Sequence, residues 1–445
     1  MAGPDRRRFL AQFLGGAAAT AALPGHLVAT EVAGESDRAL RWLGLEPTHG
    51  TGWLDLLPGP VGPWDESYWQ RVKEQFSLAP GLILMNAANL CPSPYPVQET
   101  VFRHTRDVNR DASFQNREKF VELKEEARIA LASLVGASPT EIAITRNTSE
   151  GNNTIVNGLD LGPDDEVVLW DQNHPTNNVS WDVRARRWGF NVVRITTPPR
   201  PSDPGELLEA FRSALSSRTR VLSFSHVSNV SGVALPAKEL CALARDRGVL
   251  TLVDGAQTFG AQQLDLNGMG CDFFTGSSHK WLMGPKEAGV LFVRDESQDR
   301  LWPSDVGVGW EGAEANGAQK FDNLGQRDDA AVVTMGTAAG FHQAIGPDAV
   351  EARVRALASA LKTALADAIP EILFHTPAGP EMSLGVVVFA VPGKVHRDIF
   401  ESVYRTHHLG CASMGGDFDG LRLSPHIYNS MAEVETAVEA VASHA

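Results

Sequence analysis

Residues 275–285 read TGSSHKWLMGP and place a lysine, Lys280, directly after two serines and a histidine. The apolar pair Phe273-Phe274 just before this stretch predicts a buried strand, so Lys280 lies near a strand end. An ammonium group is costly to bury unless a partner or a reaction uses it. A solvated lysine in a turn is the alternative, and the residues at neighbouring strand ends decide between the two.

Short apolar runs alternate with helical stretches through the middle of the chain. The predicted strands are residues 166–170, 191–195, 220–226, 249–254, 272–275 and 289–293, and helical patterns occupy 206–215 and 238–246. Earlier, residues 120–134 carry apolar side chains at helical spacing and stop at Gly136. Strands that alternate with helices predict an α/β fold with a mostly parallel sheet.

Polar side chains follow several of the predicted strands. Ligands bind beyond the carboxyl ends of strands in open α/β sheets, so these side chains are expected to share one site. They are His174, Asn229, Asp254, Gln257 and Lys280. Thr148 and Ser149 precede a helical stretch, where hydroxyls and backbone N–H groups suit a phosphate. A helix cap or a turn explains each feature alone, but their joint occurrence favours a binding site.

Five motifs resemble, in order, those of the class V aminotransferase family, which are pyridoxal-phosphate enzymes of fold type I. They are AITRNTSE at 143–150, SHVSNVSG at 225–232, LTLVDGAQ at 250–257, SSHK at 277–280 and LRLSPHIYNS at 421–430. The resemblance runs from about Leu82 to the C-terminus. The first and last motifs look most like the isopenicillin-N-epimerase branch.

The resemblance implies a role for each candidate residue. Lys280 would anchor the aldehyde of pyridoxal 5'-phosphate (PLP) and later shuttle a proton, which removes the cost of burying a fixed ammonium. Asp254 would keep the pyridine nitrogen protonated, and His174 would stack on the ring. The remaining implied contacts are Asn229 and Gln257 to the ring oxygen, Thr148, Ser149, Ser277 and His279 to the phosphate, and Arg422 to a substrate α-carboxylate.

Two of these assignments have structural alternatives. Ser277 and His279 could belong to a local turn. Arg422 could pair with Asp417 or Asp419 within a strand and turn. The resemblance also implies a homodimer with the active site at the subunit interface, in which residues 325–330 reach the partner's phosphate.

Changes in composition and in predicted secondary structure divide the chain into four predicted parts. Residues 1–29 form a candidate signal peptide, 30–81 an N-terminal arm, 82–334 a large PLP-binding α/β domain, and 335–445 a smaller α+β domain. Predicted helices at 335–345, 350–369, 395–407 and 431–443, with strands at 384–391 and 421–424, make up the last part.

The N-terminus resembles a twin-arginine (Tat) export signal. Three arginines at 6–8 precede Phe9-Leu10, and the small apolar stretch 11–23 is too short to span a bilayer. A Tat substrate folds and takes up its cofactor before it crosses the membrane. We therefore predict a periplasmic enzyme, similar in arrangement to the exported class V enzyme that tailors the siderophore pyoverdine in fluorescent pseudomonads. A basic tail on a cytoplasmic enzyme is the alternative.

Composition excludes some function classes but does not select the reaction. The formal charge of −15 argues against a nucleic-acid surface, and no membrane span follows the N-terminus. The four cysteines lack metal-binding spacing. The substrate is predicted to be an amino-acid moiety, and the export signal favours one that is part of a secreted peptide metabolite. An epimerase or aminotransferase acting on a free amino acid, a cysteine desulfurase or C–S lyase using Cys411, and a catalytically silent PLP-holding protein stay open.

Overall fold

The computed structural model describes residues 61–445. The predicted signal peptide at 1–29 and the arm as far as residue 60 lie outside the described residues. None of the helices between residues 61 and 445 is long and apolar enough to cross a membrane.

The described strands form three sheets. They are β1 Ile83–Leu84, β2 Ile142–Thr145, β3 Glu166–Trp170, β4 Asn191–Ile195, β5 Thr219–Ser225, β6 Leu250–Asp254, β7 Phe273–Ser277, β8 Gly289–Val293, β9 Leu373–Phe374, β10 Val387–Ala390, β11 Leu409–Gly410, β12 Ala412–Met414 and β13 Gly420–Leu423. The largest sheet has seven strands in the order β2-β8-β7-β6-β5-β3-β4. Only β8 runs against its neighbours in this sheet, which confirms the predicted α/β fold with a mostly parallel sheet.

Both faces of the large sheet are covered. Val168 and Trp170 of β3 pack into an apolar cluster on one face, while Val167 and Leu169 pack into a second cluster on the other. Successive strand residues point to opposite faces, so burial on both sides requires a continuous apolar run. This is why strands such as EVVLW lack polar alternation, and why polar groups concentrate at the strand ends.

Helices surround the sheets. The described α-helices are Glu66–Lys73, Tyr95–Arg110, Phe114–Arg117, Lys119–Val135, Thr148–Gly158, Pro175–Trp188, Pro204–Ala214, Ala237–Arg245, Leu266–Met269, Trp310–Glu314, Asp329–Ile345, Pro347–Ala368, His396–His407 and Met431–Ala442. Short 3-10 helices lie at Pro139–Glu141, Asp295–Arg300, Gly317–Phe321 and Gly416–Phe418. The predicted stop at Gly136 is confirmed, because this residue caps its helix at φ +64°.

The C-terminal part contains a four-stranded antiparallel sheet in the order β12-β13-β10-β9. Helices Pro347–Ala368, His396–His407 and Met431–Ala442 pack with it around one apolar cluster. The two longer strands agree with the predicted ones. The short strands β9 and β12 were not predicted, since two or three residues carry no periodicity.

Elements and contacts of the structure cross the predicted domain limits at residues 81–82 and 334–335. Residue 334 lies inside the helix Asp329–Ile345, which packs on the large-domain helices Lys119–Val135 and Tyr95–Arg110. At the other end, β1 pairs with β11 of the C-terminal part. Part of the predicted arm forms the helix Glu66–Lys73. Its side chains Tyr68 and Trp69 pack into a buried apolar cluster, which holds the helix against the rest of the protein.

Candidate active site

Nine of the ten predicted site residues line one cavity of about 300 Å³. They are Thr148, Ser149, His174, Asn229, Asp254, Ser277, His279, Lys280 and Arg422. The cavity lies at the carboxyl ends of β6 and β7, where Asp254 and Ser277 are the last strand residues, and at the N-terminus of the helix Thr148–Gly158. This position is the one expected for a ligand site in an open α/β sheet.

Asp254 is a buried carboxylate held by two donors. The side-chain amide of Asn152 donates to its Oδ2 at 2.9 Å, and the backbone N–H of Ala256 donates to its Oδ1 at 3.1 Å. The hydroxyl of Thr275 donates to Asn152 Oδ1 at 2.7 Å and thereby orients that amide. Sequence reasoning missed Asn152. Its position one helical turn after Thr148, on the same helix face, was the available signal.

Two hydroxyls meet at the start of the helix Thr148–Gly158. The Oγ of Ser277 lies 2.8 Å from both the backbone nitrogen and the hydroxyl of Thr148. Asn147 caps the helix through the N–H of Glu150. The positive end of the helix dipole and these hydroxyls together suit a phosphate group.

Lys280 and the two neighbouring histidines have lowered pKa values. Burial lowers the pKa of Lys280 to about 8, although nearby Asp254 opposes this shift. Burial and the positive charge of Lys280 lower the pKa of His279 to about 4 and also lower that of His174. His174 Nδ1 accepts the N–H of Thr176 at 3.2 Å, so its neutral ring carries the proton on Nε2.

Arg422 is a buried cation with no carboxylate partner among residues 61–445. Its Nη1 donates to the carbonyl of Asn229 at 3.0 Å and its Nη2 to Oδ1 of Asn86 at 3.2 Å. Burial lowers its pKa to about 10. The alternative pairing with Asp419 is not present, because Asp419 contacts His396 at 2.8 Å instead. The cavity is therefore lined by a cation that has no carboxylate partner among residues 61–445.

Gln257 does not line the cavity. Its Nε2 donates to the carbonyl of Ala88 at 3.0 Å, and its Oε1 accepts the indole N–H of Trp281 at 2.8 Å. Both the nitrogen and the oxygen of the Gln257 amide are therefore already hydrogen-bonded within the protein. The position of this side chain does not support its predicted contact with the ring oxygen of PLP. Asn229 stays at the cavity wall.

Cys411 is buried beside β11 and β12 in the apolar cluster of the C-terminal part. Burial raises the pKa of its thiol to about 12, and Arg422 opposes the shift only partly. A desulfurase needs an accessible thiolate. Cys411 does not provide one in this structure.

The donors at the cavity fit PLP. Two buried polar atoms there, Nδ1 of His279 and Nε of Arg422, have no hydrogen-bond partner within the described part of the chain. A buried polar atom without a partner needs an explanation, and at a cavity-lining residue a bound ligand is one that the position allows. Thr148, Ser149, Ser277 and His279 would hold the phosphate, Asp254 the pyridine nitrogen, His174 the ring face, and Lys280 the aldehyde carbon.

This fold and this lysine opposite an aspartate at the strand ends define a PLP-dependent enzyme of fold type I. The sequence model of the family described as aminotransferase class-V matches residues 97–436, and the chain belongs to that family. Its cofactor is therefore PLP.

Within the family, this chain is similar to two isopenicillin N epimerases and to a solved C–S lyase structure. The isopenicillin N epimerase of Amycolatopsis lactamdurans is 32% identical over 393 residues, covering 84% of this chain and 98% of that protein. The isopenicillin N epimerase of Streptomyces clavuligerus is 29% identical over 391 residues, covering 84% and 97%. The solved structure of a mutant of the cystine C–S lyase C-DES, with glycine covalently linked to the PLP cofactor, superposes with a TM-score of 0.76 at 23% identity, covering 84% of this chain and 99% of that one.

The lowered pKa of Lys280 predicts how the cofactor-free protein captures PLP. Only the uncharged amine attacks the aldehyde, so the capture rate should rise about tenfold per pH unit below the pKa of about 8 and level off above it. Stopped-flow absorbance between pH 6.5 and 9.5 measures this. Nα-acetyl-lysine is the control for the ionisation of PLP itself, because its amine has an ordinary pKa. A protein profile that parallels this control would contradict the lowered pKa.

Proposed function

We propose that this protein uses PLP to move the Cα proton of an amino-acid moiety whose carboxylate binds Arg422. The observation that carries this proposal is the buried Arg422 guanidinium, which faces the same cavity as Lys280 and has no counter-charge among the described residues. A planar guanidinium holds a carboxylate by two parallel hydrogen bonds. Such a clamp fixes the substrate while a base acts on the adjacent carbon.

We assign a separate role in this reaction to each of four cavity residues. Arg422 orients the carboxylate, and Lys280 removes the proton at Cα from one face, because its lowered pKa leaves a useful uncharged fraction near neutral pH. Return of the proton by Lys280 restores the starting configuration, so inversion needs a proton delivered to the opposite face by a group other than Lys280. Asp254 holds a proton on the pyridine nitrogen, and the uncharged His174 covers the ring face. Bound PLP supplies the electron-withdrawing group that makes the Cα–H bond acidic.

Inversion at Cα is the reaction we favour. Two relatives that match along nearly their whole length are named isopenicillin N epimerases, which supports epimerisation of an amino-acid moiety in a peptide-derived metabolite. The buried Cys411 disfavours desulfuration. Transfer of the amino group to an acceptor is the second candidate, since it begins with the same proton transfer.

Incubation of the holoenzyme with candidate amino acids and peptides in D₂O tests the reaction. NMR detects loss of the Cα–H signal, chiral chromatography detects inversion, and a keto-acid assay detects transamination. Exchange with inversion and without keto acid is expected. Absence of exchange on every compound that changes the cofactor spectrum would contradict the proposal, as would a protein whose spectrum no amino compound changes.

Changing Arg422 to lysine tests the carboxylate clamp. The substitution keeps the charge but loses the second parallel hydrogen bond, and charged hydrogen bonds contribute roughly 1.5–3 kcal/mol. We expect kcat/KM to fall about tenfold to a hundredfold while the cofactor absorbance stays unchanged. Arg397→Lys is the matched control, because Arg397 pairs with Glu401 on an exposed helix face. Equal efficiency of the two variants would exclude the clamp.

We further propose that the enzyme works in the periplasm on a secreted peptide metabolite such as a siderophore. The proposal rests on the twin arginine and the small apolar stretch at the N-terminus. Changing Arg6 and Arg7 together to lysine should leave uncleaved protein in the cytoplasm, detected by cell fractionation and immunoblotting. If the amount of the double variant in the periplasm is unchanged, the segment is only a basic tail and not a twin-arginine signal. Mass analysis of secreted metabolites with and without the gene then identifies the substrate.

The predicted homodimer, in which residues 325–330 contact the partner's phosphate, stays a proposal. Within the chain, the guanidinium of Arg327 donates to the carbonyl of Ile144, so this segment is already tied to the edge strand β2. A segment anchored in this way can present its neighbours to a second subunit.

A further inference from the structure

The turn that carries Lys280 is fastened at four successive carbonyl oxygens. The donors are the backbone N–H of Cys91 to His279 at 2.8 Å, the N–H of Met283 to Lys280 at 2.9 Å, Nε2 of His426 to Trp281 at 2.8 Å, and Nε2 of His342 to Leu282 at 3.2 Å. Met283 has φ +57°, a left-handed conformation that is unfavourable for a residue with a side chain. The turn therefore depends on contacts from other segments to keep its shape.

His426 is a fully satisfied side chain inside the protein. Its Nδ1 accepts the N–H of Ile427 at 2.7 Å, and because a carbonyl oxygen can only accept, its Nε2 carries the proton donated to Trp281. Burial lowers the pKa of His426 to about 3, so the ring is neutral. The ring also packs on the Trp281 indole, with centroids 5.1 Å apart. A neutral histidine with both nitrogens committed has a fixed orientation.

The position of His426 connects two parts of the cavity. It follows Arg422 by four residues, in the turn after β13, and its hydrogen bond reaches the residue next to Lys280. Strand β13 belongs to the C-terminal sheet, whereas the lysine turn follows β7 of the large sheet. One side chain thus joins the segment that carries the guanidinium to the segment that carries the amine.

We propose that His426 is a positioning residue that sets the placement of Lys280 relative to Arg422. This inference rests on the proposed carboxylate role of Arg422. A substrate held by its carboxylate presents its amino group and its Cα at a fixed place, so Lys280 must lie at a matching distance. Misplacement by about 1 Å lowers a rate by about a hundredfold. His426 prevents that misplacement without touching substrate or cofactor.

A pair of probes measures this placement without knowledge of the natural substrate. Aminooxyacetate carries a carboxylate and displaces Lys280 from the cofactor, while O-methylhydroxylamine does the same without a carboxylate. The ratio of their second-order rate constants, read from the loss of cofactor absorbance in the holoenzyme, reports how far carboxylate binding assists attack at the carbon joined to Lys280. We expect a ratio well above one in the unchanged protein and a fall of at least about tenfold in His426→Phe.

His342→Phe is the matched control. His342 is also a buried neutral histidine, and it donates to the next carbonyl of the same turn, but it lies on the helix Asp329–Ile345, which carries no cavity-lining residue. A thermal melt of each variant reports the lost hydrogen bond. His342→Phe is expected to lower Tm and to keep the probe ratio within about threefold of the unchanged protein.

Two smaller changes at the same position, to Gln and to Asn, test the positioning role even if His426→Phe does not fold. In His426→Gln the amide can still reach the Trp281 carbonyl, so it should keep most of the ratio, whereas the shorter Asn cannot and should lose it. Equal ratios for the Gln and Asn variants would overturn the positioning role. So would a ratio that falls in Arg422→Lys but not in His426→Phe. A ratio near one in the unchanged protein would overturn the carboxylate role of Arg422, and with it the basis of this inference.

Discussion

A Lys280→Ala variant is expected to lose covalent attachment of PLP and to exchange the substrate's Cα proton at least about 10³-fold more slowly than the unchanged enzyme. Two proposed functions should disappear together, because we assign to the same amine both the attachment of the cofactor aldehyde and the transfer of the proton. Folding should not suffer. The lowered pKa of Lys280 shows that burial disfavours its charged form, so removing the amine removes an unfavourable charge.

Proton exchange in D₂O, followed by NMR with PLP in excess, measures this effect. Lys286→Ala is the control, since Lys286 follows in the same loop but donates to the carbonyl of Cys91 at 2.7 Å and does not line the cavity. The control should exchange protons at a rate within about threefold of the unchanged enzyme. A Lys280→Ala enzyme that keeps more than a tenth of the exchange rate would show that another residue is the base.

Changing Asp254 to asparagine is expected to lower kcat by about 10²–10³-fold while PLP stays attached to Lys280. The substitution removes the charge that we expect to keep the pyridine nitrogen protonated, and removal of one preorganised electrostatic contact costs about 2.7–4 kcal/mol in the transition state. Stability should also fall. Both oxygens of Asp254 accept N–H donors, so an amide NH₂ must face Asn152 or Ala256 at a cost of about 1–3 kcal/mol.

Asp272→Asn separates the two effects of that substitution. The carboxylate of Asp272 accepts the N–H of Thr251 at 2.8 Å and the hydroxyl of Ser297 at 2.7 Å, but it precedes β7 and so lies at the opposite end of the sheet from the cavity. We expect a similar fall in Tm for the two variants and a fall in kcat only for Asp254→Asn. A kcat within tenfold of the unchanged enzyme in Asp254→Asn would exclude the proposed contact with the ring.

Much of the site could be predicted because strand ends are readable in sequence. Asp254 ends the buried apolar run of β6, and the carboxyl ends of parallel strands meet at one edge. Ser277 ends the buried strand β7 but was predicted from the SSHK motif. Asn86 and Asn152 could not be found in that way. Asn86 holds Arg422 from a segment whose packing no periodicity reports. Asn152 holds Asp254 from a helix, and its spacing of four residues from Thr148 was the signal for it.

Other differences have a local physical reason. Asp419 precedes Arg422 by three residues, and residues three apart in extended chain point to opposite faces, which explains why this pair does not form. Gln257 follows Asp254 by three residues in a turn, and there its side chain meets Ala88 and Trp281 before it can reach the cavity. The helix Asp329–Ile345 spans the predicted boundary near residue 334, and because it is apolar and buried almost all round, no change of pattern marks its start in the sequence.

The central claim is that Lys280 carries the cofactor, and one measurement tests it most directly. The purified protein is reduced with borohydride, which makes the link between PLP and its lysine permanent, then digested and analysed by mass spectrometry. We predict a single pyridoxyl-lysine in the peptide that contains SSHK, at Lys280. A label on Lys286 or on any other lysine, or a fully loaded protein with no label, would contradict the account.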